Sequence, residues 1–119
     1  MGPIPDGRSR GTVLFLTHLP TGDLFASLIS LLAWQGKVFH RDQGYLLNRV
    51  TPCGLELVKA NVYGGKSWFA EGQGIILDYS QTSFIAQKIR DEIRQVAPGL
   101  YVGQAYWEDH RVLCFCLEF

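Results

Sequence analysis

Charge is scarce in this chain and carries no net sign. Only 18% of its 119 residues are charged, and 11 acidic residues balance 11 basic ones. No basic stripe stands out, which argues against a general nucleic-acid binder. The missing net charge also removes one barrier to self-association, so a homodimer is compatible with the composition. Cysteine is nearly absent: Cys53, Cys114 and Cys116 are an odd number with no framework spacing. That fits buried thiols in a reducing compartment and excludes a disulfide scaffold. Ligands at metal spacing are lacking, so no metal site is expected. His18, His40 and His110 are scattered near turns, and no Gly-x-Ser-x-Gly elbow or Ser-His-Asp order accompanies them. Gly72-Gln73-Gly74 lacks the lysine and helix of a phosphate-cradling loop. Residues 1–11 hold no apolar run and do not read as a signal peptide. The apolar stretch over 24–34 is too short to span a bilayer. A cytoplasmic protein with no membrane span is the expectation.

What is there is apolar. Hydrophobic residues make up 47% of the chain, enough in one small domain to suggest an internal pocket or an oligomer interface. The length predicts a single domain over 1–119, with residues 1–10 as a loose N-terminal arm. Residues 12–16 read as a strand. Thr21 can cap a helix over about 23–34, in which Leu24, Phe25, Leu28, Leu31 and Leu32 make one apolar stripe. Beyond Lys37 the period changes to that of strands. Residues 37–40 and 45–50 read as a hairpin around Asp42-Gln43-Gly44. Residues 55–63 alternate with apolar side chains on both faces, and Gly64-Gly65-Lys66 reads as a turn. An apolar strand over 75–79 follows. Ile85, Ile89, Ile93 and Val96 recur at helical spacing, with Lys88 and Glu92 able to pair; whether 84–96 is helix or irregular strand stays open. Residues 100–107 and 112–119 form a last hairpin. No βαβ rhythm, repeat or linker is visible, so a parallel sheet is not expected.

Two segments resemble known proteins. Trp34-Gln35-Gly36-Lys37-Val38-Phe39 is similar to the Trp-x-Gly-Lys-x-Phe segment of small bacterial proteins in the family named for a Gly-x-Trp-x-Gly motif. Ile89-Arg90-Asp91-Glu92-Ile93-Arg94 and Gly99-Leu100-Tyr101-Val102-Gly103 resemble that family's second half. Residues 31–119 also resemble uncharacterised bacterial lipocalin-like proteins. The resemblance implies a lipocalin-like antiparallel barrel around an apolar cavity and no particular reaction. The fold class expected is mainly β: a small lipocalin-like barrel or strongly curved antiparallel sheet with one or two helices.

The densest charge cluster is Arg90, Asp91, Glu92 and Arg94. One reading is a solvated face with weak ion pairs. The other places a desolvated Asp91 or Glu92 as a general base, with Arg94 or Arg90 holding an anion. Asp78, after three apolar residues, either caps the following turn or enters a pocket, with Tyr79 on the opposite face. Tyr63, Trp68, Tyr79 and Tyr101 belong to an aromatic set that packs a core or lines a cavity, where their polar tips would meet ligand oxygens. The candidate catalytic residues are therefore Asp91, Glu92 and Arg94. The candidate ligand-binding residues are Arg90, Asp78, Tyr79, Tyr101, Trp68 and Tyr63. The function expected is binding of a small, mostly apolar organic molecule, with lyase, isomerase or cyclase chemistry that requires no cofactor. A lipid-like carrier and an oligomeric interaction module are the alternatives.

Overall fold

The computed structural model describes residues 3–16, 34–50, 55–83 and 87–119. These build one antiparallel sheet of nine strands in the order β1-β3-β4-β5-β6-β7-β8-β9-β2. The strands are β1 (Gly7–Arg8), β2 (Arg10–Leu16), β3 (Gly36–His40), β4 (Tyr45–Val50), β5 (Leu55–Lys66), β6 (Gln73–Asp78), β7 (Ile89–Ala97), β8 (Leu100–Trp107) and β9 (His110–Glu118). From β3 to β9 every strand pairs with its neighbour in sequence.

The first strand pair closes the sheet into a barrel. β1 pairs with β3, and β2 pairs with β9. Ser9 is the joint between them. Its N–H donates to the Lys37 carbonyl at 2.9 Å, and the Gly11 N–H donates to that of Gln35 at 2.8 Å. The Ser9 hydroxyl donates to the Lys37 carbonyl at 2.7 Å and accepts from the Lys37 N–H at 3.0 Å. Arg49 donates to the Ser9 carbonyl at 3.0 Å. At Gly36, φ is +148°, and a Cβ there would lie 2.2 Å from the Ser9 carbonyl oxygen; only glycine lets the two backbones approach so closely. The loose arm expected over 1–10 is thus, from Gly7 onward, part of the sheet.

Alternation sets the interior. Phe39, Leu46, Ala60, Val62, Ile75, Leu77, Ile93, Ala105, Leu113, Phe115 and Leu117 form one buried cluster. Each large one contributes roughly 1.5–3 kcal/mol by leaving water. The middle strands are buried on both faces: Gly74 to Leu77 and Val112 to Phe115 show no exposed position. They read as continuous apolar runs for that reason.

Two local expectations change. Gly64-Gly65-Lys66 is the end of β5, and the turn follows it, where the Ser67 N–H donates to the Gly72 carbonyl at 3.0 Å. Residues 89–97 are a strand, with an irregularity in its pairing to β8 at Val96. A spacing of four, as from Ile89 to Ile93, satisfies both the helical period and the even period of a strand, so the pattern alone did not choose. Val96 is exposed, and Lys88 pairs with Glu108 at 3.7 Å instead of with Glu92. The helix expected over 23–34, apart from Trp34, and Ile85 lie outside the described residues. Among those described the helical element is one 3-10 turn, Arg41–Gln43, ended by Gly44 at φ +74°.

Candidate functional site

Four polar side chains occupy core-facing positions. Lys37 follows Phe39's parity on β3, Asn48 that of Leu46 on β4, Asp91 that of Ile93 on β7, and Tyr79 that of Leu77 beyond β6. Pairing brings them together: Lys37 lies opposite Asn48, and Asp91 lies opposite Leu77. The Lys37 ammonium donates to Asn48 Oδ1 at 2.7 Å and to the Tyr79 hydroxyl at 2.8 Å, and meets Asp91 Oδ2 at 3.1 Å. Asn48 Nδ2 donates to the Tyr79 hydroxyl at 2.7 Å and to the Val58 carbonyl at 2.9 Å, while Asn48 Oδ1 also accepts from Trp34 Nε1 at 3.1 Å. Val58 is the extra residue of a bulge between β4 and β5 and has φ +56°. A β-branched residue there is strained. The bulge turns the Val58 carbonyl toward the cluster.

Aromatic rings surround the ammonium. Its Nζ is 5.4 Å from the Trp34 and Phe115 ring centres and 5.5 Å from that of Tyr79, within cation–π range. Phe115 lies flat because Gly103 beneath it has no Cβ; one would stand 2.3 Å from the ring. Trp34 meets Phe115 edge-on at 5.6 Å.

The side chains of Lys37 and Asp91 are 4% and 6% exposed, so burial governs their protonation. Burial pulls the Lys37 ammonium down, but Tyr79 and Asp91 outweigh it and hold its pKa above the ordinary lysine value. Burial pushes the Asp91 carboxyl up against the pull of Lys37, making it more basic than a surface carboxylate. Burial likewise raises Tyr79, with Lys37 opposing. Asp91 Oδ1 is buried and has no hydrogen-bond partner among the described residues.

The remaining sequence candidates lie elsewhere. Glu92, next to Asp91, points out of the barrel. It accepts from the Ser67 hydroxyl, from the Trp68 N–H at 2.7 Å and from Arg90 at 3.2 Å. It therefore anchors the 67–72 loop and is no partner of the interior. Arg90 donates to the Lys66 carbonyl at 2.8 Å and stacks 3.9 Å over the Trp68 ring, which is half exposed. Arg94 is half-buried on the same outer face, its Nη2 without a hydrogen-bond partner among the described residues. Asp78 caps its own turn, accepting from the Ser80 N–H at 2.9 Å, and takes the Tyr63 hydroxyl at 2.8 Å. Tyr101 faces inward at one end, where its hydroxyl donates to the Pro3 carbonyl at 2.8 Å. Of the nine candidates, only Asp91 and Tyr79 share this cluster. Charge density along the sequence pointed to 90–94 as a unit, but a strand sends neighbours to opposite faces. Lys37 and Asn48 were missed. Their signal was parity: a polar residue two positions from Phe39 or Leu46 on a core-facing register.

No protein-family model matches the chain, and no curated protein matches it. The crystal structure of a protein from Thermomonospora curvata is similar, with a TM-score of 0.58 at 23% identity over 95% of this chain and 73% of that one. At that identity the likeness shows a shared fold.

Proposed function

We propose that the barrel takes a small, mostly apolar organic molecule into its interior, against Asp91 and Tyr79. The buried Lys37–Asp91–Tyr79–Asn48 cluster carries this reading. An ion pair inside an apolar barrel adds little stability over well-packed apolar residues, so its presence asks for a use. The resemblance of residues 31–119 to lipocalin-like proteins points the same way. Proton transfer suits the groups best: Asp91, made basic by burial, takes a proton from the bound molecule and returns it at a second position, while the Tyr79 hydroxyl, hydrogen-bonded to Asp91, helps to hold that carboxylate in place. Nothing is oxidised or reduced, so isomerase, cyclase or lyase chemistry of this kind runs without a cofactor. Lys37, its three N–H groups all engaged and its charge stabilised, holds the pair in place and is no nucleophile.

Native mass spectrometry of the purified protein, followed by release and identification of small molecules, tests the reading. A co-purified apolar compound of defined structure supports it. A clean protein that dimerises with concentration, and whose Trp34 fluorescence ignores apolar probes, overturns it in favour of an interaction module. Should a compound bind with Asp91→Asn leaving its conversion unchanged, the barrel is a carrier and not an enzyme.

A further inference from the structure

The outer face of the sheet carries a second polar and aromatic arrangement, apart from the buried cluster. Asp78, Arg90, Tyr106 and Arg111 lie opposite one another on β6, β7, β8 and β9, so they form one row across four strands. The 67–72 loop folds back over this row. Arg90 stacks on the Trp68 ring, Tyr106 meets that ring edge-on at 5.2 Å, and the Arg111 guanidinium lies 5.4 Å from the Phe69 ring centre. Tyr63 joins at the Asp78 end through its hydroxyl. Tyr63, Trp68 and Phe69 are all exposed. The loop that presents the last two is pinned. The Ser67 N–H donates to the Gly72 carbonyl, the Trp68 N–H to Glu92, and the Phe69 and Ala70 N–H groups to Ser67 Oγ. Four successive N–H groups of an exposed loop are thus satisfied without water, so covering the loop strands none of them. Its rings are also set in advance, which lowers the ordering cost of association.

We propose that this face docks a second copy of the same chain, related to the first by a two-fold axis. Exposed aromatic rings backed by arginine are the side chains that dominate interface centres. Charge decides the occupant. Toward β6, two acids, Asp78 and Glu92, flank the single base Arg90. Toward β9, the row ends on the exposed cation Arg111. An acidic peptide, an anionic membrane or a nucleic acid would meet Arg111 but be opposed by Asp78, and a basic partner would meet the reverse. A copy turned by 180° suits both ends, its Arg111 on Asp78 and its Asp78 on Arg111. That reciprocity is what an isologous contact requires. Long-range repulsion does not oppose the encounter, because 11 acidic and 11 basic residues leave the chain without net charge. Such a dimer uses only the outside of the barrel, so it is independent of what the interior takes.

The test is analytical ultracentrifugation of the intact chain at neutral pH, from about 1 μM to about 1 mM. Wild type should pass from monomer to dimer as concentration rises, and stop there. Trp68→Ala should weaken the dimer about thirtyfold, as loss of a central anchor does. Val96→Ala, at an equally exposed apolar side chain near the end of β7, should leave it unchanged. Arg111→Glu and Asp78→Lys should each weaken it, since each sets like charges together across the axis. An equimolar mixture of those two variants should restore it, because each then offers the sign that the other needs. A monomer throughout the range, a mass that grows past the dimer, a dimer indifferent to Trp68→Ala, or a mixture of the two folded variants that stays monomeric overturns the proposal. So does a monomer whose Trp fluorescence answers to an oligoglutamate peptide, a single-stranded oligonucleotide or an anionic vesicle, any of which would be another occupant. Asp78 also caps its own turn. Where Asp78→Lys fails to fold, Trp68→Ala and Arg111→Glu set against Val96→Ala decide.

Discussion

An ammonium buried among aromatic rings persists only while each of its N–H groups has an acceptor and its charge a counter-charge. Lys37 meets both conditions, so removing it leaves Asp91 as an uncompensated buried anion. Lys37→Met should cost about 3–5 kcal/mol, and Lys37→Met with Asp91→Leu distinctly less than the sum of the two single changes. Urea midpoints of the three variants give the coupling. A pH signature follows from the same pair. The folded-state pKa of Lys37 lies above its unfolded value of 10.5, so the protein binds this proton more tightly when folded. Its contribution is complete below pH 10.5 and is lost as pH rises through the folded value. Urea midpoints should hold from neutral pH to that value and fall above it, and the double variant should lack this component of the fall. Asp91 was legible as a candidate because it stood in a charge-dense run, whereas Lys37 hid in a segment notable only for its family resemblance. Both are the same physical event, a charge placed on the core parity of a strand.

Strands decide what neighbours in sequence share. Asp91 and Glu92 are adjacent, yet one faces Lys37 and the other holds the loop after β5. Glu92→Gln should therefore leave the interior intact while loosening the loop. Amide exchange of Trp68, Phe69 and Ala70, whose N–H groups depend on Glu92 and Ser67, should accelerate, and the Lys37 and Asp91 amides should stay protected. Faster exchange throughout β7 would contradict this separation. The hairpins were readable from turn chemistry, as at Asp42-Gln43-Gly44. The nature of 89–97 was not, because apolar residues four apart suit helix and strand alike. The bulge at Val58 was invisible as well: a valine at positive φ gives no sign of itself in a sequence, and it is the long-range pairing of β4 with β5 that imposes it.

Closure belongs to the molecule as a whole. One serine, Ser9, ties β3 to the strand that pairs with β9, and its hydroxyl is the acceptor for the buried Lys37 N–H. Ser9→Ala should lower global stability by about 1–3 kcal/mol, visible as a lower urea midpoint with an unchanged slope. The slope would fall if the variant left the seam open in the native state. Nothing in residues 1–10 announced this role, since Gly, Pro and Arg there look like an arm until the partner strands are known. Closure also sets a timetable for synthesis. Lys37 leaves the ribosome 42 residues ahead of Tyr79, and Asp91 later still. Arg10 precedes its cross-strand partner Glu118 by 108 residues, an interval of roughly 5–20 s at usual elongation rates. Through that interval the nascent sheet has an unpaired edge and a lysine on its greasy side with no counter-charge. The barrel therefore closes only once β9 has been made, and until then its apolar sheet edge is open to wrong pairing.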